Sequence, residues 1–147
     1  MPVAEAFLGP LGITGDSHAH PQIHGGPDKA VLLITSEGIA ELMERGYALY
    51  PGALGENLTT RGLDRRALRL GQQLRAGSAV IAITRMRVPC QTLDVYGPTL
   101  KNEMYDAQVK AGDPSSPRWG LSGFYARVLQ PGMVRTDDII SVMATSA

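Results

Sequence analysis

Apolar residues arrive in this chain in short bursts, cut apart by glycine and proline, and the bursts differ in period. Ala30 to Ser36 (AVLLITS) is continuously apolar and rich in β-branched residues, which predicts a strand buried on both faces. The period then becomes helical. Ile39, Leu42 and Met43 share one face of EGIAELMERG, with Ser36 placed to cap its start and Gly46 to end it. Gly55 to Leu63 reads as a strand entering a turn. Leu68 to Val88 reads as two strands joined through Ala76-Gly77, the second starting near Ser78. Pro98 to Ala111 predicts a helix with Pro98 in its first position, Leu100, Met104 and Ala107 on one face, and Gly112 closing it. Gly112 to Gly123 has no period and reads as a loop. Phe124 to Val134 reads as a hairpin turning at Pro131-Gly132, and DDIISVMA as a terminal strand.

The order is β-rich with two short helices inserted, not a regular βαβ alternation. A small closed or partly closed β-barrel is the expected architecture. The 147 residues, with 17 glycines and 10 prolines, suit one domain spanning 1–147.

Charge removes some function classes. Fourteen basic residues balance fourteen acidic ones and no basic arm occurs, so nucleic acid is not the expected partner. No apolar run approaches the roughly 20 residues of a membrane span. The start of the chain lacks the basic-then-apolar pattern of a secretory signal. A soluble cytoplasmic protein without a membrane partner is expected. The single cysteine, Cys90, excludes an internal disulfide and fits a reducing compartment.

Cys90 sits in ITRMRVPCQTL. On a strand, Arg85 and Arg87 share a face, and Pro89 cannot donate to a ladder, so the strand should end there with Cys90 at its mouth. A thiol near two guanidiniums has its pKa lowered, and the thiolate is the form that attacks sulfur or binds a soft metal. The plainer reading, a buried packing cysteine, stays open beside it.

All three histidines, His18, His20 and His24, lie between Gly12 and Val31. Their spacing offers two or three nitrogens to one metal, but zinc sites want four ligands at compact spacings and no HExxH occurs. A glycine-flanked polar loop is the favoured reading for His18 and His20; His24, before Gly25-Gly26, stays a candidate. Gly25-Gly26 can form an anion nest, with Asp28-Lys29 at its exit. In PGALGENLTT, Glu56-Asn57 open a strand. Asn57 either satisfies turn backbone or reads the edge of a heterocycle. Trp119 with Arg118 can form a stacking wall or anchor its loop.

Taken together, GITGDSHAH, HGGPDKAVLLI, PGALGENLTTRGLD, LRLGQQLRAGSAVIAIT and RVPC stand in the order and spacing of a known family. The chain resembles the MOSC domain, the module named for the C-terminal domain of molybdenum cofactor sulfurase, from about Gly12 to its end. The resemblance implies a barrel-like β fold and a pocket for the molybdenum cofactor, a molybdopterin with a terminal phosphate. It matches Cys90 to the family cysteine, expected to ligate molybdenum or to carry a persulfide sulfur. It places His24, Asp28, Lys29, Glu56, Asn57, Arg85 and Arg87 around the pterin and its phosphate.

The PLP-dependent desulfurase domain of the large sulfurase has no counterpart here, nor has the extra N-terminal barrel of related reductases. Any PLP chemistry is therefore expected to belong to a partner cysteine desulfurase. Three functions follow from the resemblance. They are a sulfur carrier in cofactor sulfuration, a small molybdoenzyme reducing N-hydroxylated bases or amidoximes with electrons from a redox partner, and a non-catalytic cofactor-binding module.

Overall fold

The computed structural model describes residues 5–9, 12–14, 31–49, 54, 58–89, 91–97, 99–135 and 138–143. Along the chain the elements are β1 (Glu5–Gly9), β2 (Gly12–Thr14), β3 (Val31–Thr35), α1 (Ser36–Glu44), β4 (Leu58–Thr60), β5 (Gln73–Ala76) and β6 (Ala79–Met86). A 3-10 helix (Gln91–Tyr96), α2 (Leu100–Met104), α3 (Ala107–Lys110), β7 (Phe124–Gln130), β8 (Gly132–Arg135) and β9 (Ile140–Val142) follow. The β-rich class with short helices is the one the residue pattern predicts.

The chain divides into two compact units. The first takes the described residues of Met1–Val31, Leu70–Arg85 and Tyr125–Ala147. Its β5 and β6 form the predicted antiparallel pair, with Arg75 opposite Val80. Along β5, Leu74 and Ala76 are buried while Gln73 and Arg75 face out, the period-two pattern of a half-covered sheet. The turn at Gly77 has φ +59, and a side chain there would run into the Met133 carbonyl, so glycine is required on two counts. β5 pairs on its other edge with β9, which is the predicted terminal strand.

One expectation fails in this unit. β7 and β8 flank Pro131 but are not a hairpin. β8 pairs antiparallel with β1, Met133 opposite Phe7, in a different sheet from β7. Ser78 redirects the chain. The Met133 N–H donates to its Oγ at 2.8 Å, and the Ser78 N–H donates to the Met133 carbonyl at 3.0 Å. Gly132 lies so close to Ser78 that a Cβ would sit 2.5 Å from Oγ. β1 and β2, which pair through Leu8 and Ile13, lie where the sequence pattern offered no strand.

The second unit takes the described residues of Leu32–Arg69 and Met86–Phe124. β3 is buried at every position, as its apolar run requires, and runs parallel to β4 with Leu33 opposite Leu58. Ile34, Ile39, Leu42, Leu54, Leu100, Met104 and Leu121 make its core, with Tyr47, Tyr96 and Tyr105 packed against them. Thr35, not Ser36, caps α1: its Oγ1 accepts the Gly38 N–H at 3.1 Å. Met43 is 49% exposed, off the buried face.

The single helix expected over Pro98 to Ala111 is two. Tyr105 is extended (φ −154, ψ 136), and Asp106 starts α3 by accepting the Val109 N–H at 2.8 Å. An aspartate placed three residues before an amide caps a new helix more readily than it sits inside one. Val109 is therefore the buried residue there and Ala107 is exposed. Gly112 closes α3 with φ +82.

Candidate functional site

β6 carries the chain toward Cys90 and ends at Met86, three residues before Pro89. Arg85 is exposed, whereas Arg87 is 8% exposed. The two guanidiniums do not share a strand face, because alternation lasts only as long as the strand. The Arg87 main chain has left the ladder. Its N–H donates to the Gly123 carbonyl at 3.0 Å, and its own carbonyl accepts the Ser122 hydroxyl at 2.7 Å. Val88 then emerges at 64% exposure, and the 3-10 helix follows with Leu93 buried.

Cys90 lies outside the described residues, as do His18, His20, His24, Gly25, Gly26, Asp28, Lys29, Glu56 and Asn57. Lys29 comes two residues before β3, and Asn57 comes directly before β4. β3 and β4 are parallel, so the chain enters both from one end of the pair. Among the described residues no group of three His, Cys, Asp or Glu side chains can hold a metal.

The aperiodic loop Gly112 to Gly123 is the scaffold behind Arg87. Trp119 is 2% exposed; its Nε1–H donates to the Leu68 carbonyl at 2.8 Å, and its ring meets Phe124 edge-on at 6.5 Å. It anchors the loop and is not a stacking wall. Arg69 lies 6.0 Å from the Trp119 ring. Arg118 faces Asp106 at 3.7 Å and Glu103 at 4.0 Å, and Glu103 also takes Arg45 at 2.8 Å. These are partly exposed pairs that orient the helices more than they stabilise them.

Arg65, 7% exposed, reaches the loop from the other side. Its Nε and Nη2 donate to Glu41 at 2.9 and 3.0 Å, and its Nη1 donates to the Trp119 carbonyl at 2.5 Å. The hydrogen bond from Arg65 holds the Glu41 carboxyl below its ordinary 4.5 against the opposing pull of burial. An open groove beside this pair is lined by Glu37, Glu41, Asp64, Arg65 and Arg66. Glu37 accepts the Gly62 N–H there at 2.7 Å, so these groups pair with one another and with the loop.

Sequence reasoning missed Arg65, Ser122 and Gly123. Arg65 stands in RGLDRRALRL, where its neighbours Arg66 and Arg69 are exposed, and nothing in the run marks one arginine as buried. Ser122-Gly123 before a strand reads as an ordinary turn. The one available signal was the glycine itself, which has φ +100 and lies where a Cβ would sit 2.7 Å from Ile34 Cγ1.

Of the residues expected around the cofactor, Arg85 and Arg87 are the two described, and Arg87 is the buried one. A buried guanidinium suits a phosphate or another anion, because a dry cation is stabilised by a paired negative group.

Comparison with known proteins agrees with this frame. The family model described as MOSC domain matches residues 20–141. The chain is 30% identical over 137 residues to the protein YiiM of Escherichia coli (strain K12), covering 90% of this chain and 57% of that one. It is 35% identical over 124 residues to the uncharacterized protein YflK of Bacillus subtilis (strain 168), covering 82% and 50%. The chain thus spans about half the length of the curated relatives it matches. The crystal structure of YiiM from Geobacillus stearothermophilus superposes with a TM-score of 0.70 at 29% identity, covering 97% of this chain and 62% of that one. With the family model matching most of its length, and with the β-rich fold on which that family's motifs are strung, the chain belongs to the MOSC domain family.

Proposed function

We propose that this domain binds the molybdenum cofactor and uses Cys90 on it, as a persulfide sulfur carrier or as a ligand of molybdenum. The observation that carries the reading is Arg87, a buried guanidinium three residues before the chain's single cysteine, with both main-chain groups held. Arg87 supplies positive charge to an anionic part of the cofactor. Arg85, His24, Asp28, Lys29, Glu56 and Asn57 complete the site by family likeness. When bound, the cofactor supplies a molybdenum centre able to exchange oxygen or sulfur.

In the carrier role, the Cys90 thiolate attacks the outer sulfur of a persulfide on a partner cysteine desulfurase. The new S–S bond forms as the donor's S–S bond breaks, and the donor leaves as a thiolate. The PLP chemistry that made the donor persulfide stays on that partner. A redox protein takes the partner's place if Cys90 ligates the metal in a reductase. The proposed compartment is the cytoplasm.

Expression in a host that makes the cofactor, followed by elemental analysis beside Cys90→Ala, tests this. Stoichiometric molybdenum lost in the variant supports ligation. Absence of molybdenum, with a one-sulfur mass gain on Cys90 after incubation with a desulfurase, supports the carrier. Failure to observe either result overturns a working role for Cys90 and leaves a binding module. Zinc removed by changing His20 and His24 would point to a different metal site.

A further inference from the structure

We infer that Ser122 is a positioning residue for this site, acting through Arg87. The inference rests on Arg87 being a ligand of the cofactor's anionic part. Ser122 is fully buried, and its hydroxyl donates to the Arg87 carbonyl at 2.7 Å while the Gly123 carbonyl accepts the Arg87 N–H at 3.0 Å. Two adjacent residues thus hold both main-chain polar groups of a third.

The location makes this more than routine satisfaction of backbone. β6 has ended at Met86, Arg85 before the clamp is exposed, and Val88 after it is 64% exposed. A chain leaving a strand between two exposed residues ordinarily gives its N–H and C=O to water. Here one residue in that exit is drawn in and fixed, and it is the arginine.

The clamp is itself immobilised. Gly123 has φ +100, with Ile34 and Leu32 so close that no side chain fits. Its N–H donates to the Gly120 carbonyl at 3.2 Å, and a Cβ on Gly120 would sit 2.9 Å from both Arg65 Cβ and Phe124 Cζ. Arg65 holds the carbonyl of Trp119, the residue before. Rigid backing of this kind orients a binding side chain to within a fraction of an ångström.

The test measures binding of inorganic phosphate to the cofactor-free protein by calorimetry, and molybdenum retained on dialysis of the loaded protein. Ser122→Ala is expected to weaken phosphate about fivefold or more and to speed molybdenum loss similarly, as removal of a hydrogen bond to a positioned group does. Arg87→Ala should abolish phosphate binding, and the double variant should retain molybdenum no worse than Arg87→Ala alone, because Ser122 acts through Arg87. Ser122→Thr, which keeps the hydroxyl, should restore affinity. Thr35→Ala, which removes a different buried hydroxyl, should leave it unchanged.

Wild-type behaviour of Ser122→Ala, additive loss in the double variant, or an equal loss in Thr35→Ala overturns the inference. Should Ser122→Ala not fold, amide exchange at Arg87 in the wild type decides. Exchange only through global unfolding supports the clamp, and faster local exchange overturns it. Phosphate bound through Arg87 and Ser122 without any molybdenum uptake supports the clamp and sinks the cofactor reading instead.

Discussion

Arg65 donates one guanidinium N–H to the carbonyl oxygen of Trp119 at 2.5 Å and closes its other edge on Glu41, joining α1 to the loop behind Arg87. Removing this side chain leaves a buried carbonyl without its donor. Arg65→Ala should therefore cost about 2–3 kcal/mol in urea unfolding. Arg65→Lys should recover less than half, since one ammonium cannot serve both partners. A loss under about 0.5 kcal/mol would show that the loop stands without the arginine.

Trp119 combines bulk with one hydrogen bond, and the two can be separated. Trp119→Ala should destabilise by about 3–5 kcal/mol, mostly through the cavity it opens. Trp119→Phe keeps a ring against Phe124 but loses the donor to Leu68, for about 1–2 kcal/mol beyond its smaller volume. Thermal unfolding of the pair reads the difference.

Acid should weaken the protein in a defined window. The Arg65 hydrogen bond lowers the Glu41 pKa from 4.5, and the Val109 N–H lowers that of Asp106 from 3.8. A carboxyl depressed on folding stabilises the native state above its unfolded pKa, and that contribution is lost as pH falls through the folded value. Melting temperature should hold above pH 4.5 and drop progressively below it. Glu41→Gln should lower stability at neutral pH and flatten the acid limb; an unchanged limb would exclude Glu41 as a contributor.

Asp106 both caps α3 and receives the Ser116 hydroxyl at 2.7 Å. Asp106→Ala should cost about 1–2 kcal/mol, and Asp106→Asn about half as much, because asparagine still caps but weakens the pairing with Arg118. Equal losses in both would assign the effect to charge, not to the cap.

The strands with compact apolar runs or clear alternation were legible from the sequence: β3, β5, β6 and β9 lie where their apolar residues predict. What failed was decided by distant partners. The run from Phe124 to Val134 looks like a hairpin locally, yet β8 finds β1 across nearly the whole chain. The single predicted helix broke at Asp106, because Ser116 and the Val109 amide together favour a cap there. The family motifs named the candidate residues, most of which lie outside the described residues, and the Ser122 and Gly123 groups that hold the Arg87 main chain stand where no period marks them. Arg85 and Arg87 were expected to act as a matched pair. The end of β6 at Met86 separates them into an exposed and a buried group.

The pairing of β1 with β8 also sets an order of events. Phe7 lies opposite Met133, so the β1–β8 ladder cannot close until the long stretch between these two residues has been made, whereas β2 follows β1 at once. Closing so long a loop carries a high entropic cost and slows the step that depends on it. Until then the edge of β1 that faces away from β2 stays open, the kind of surface that invites pairing with a neighbouring nascent chain.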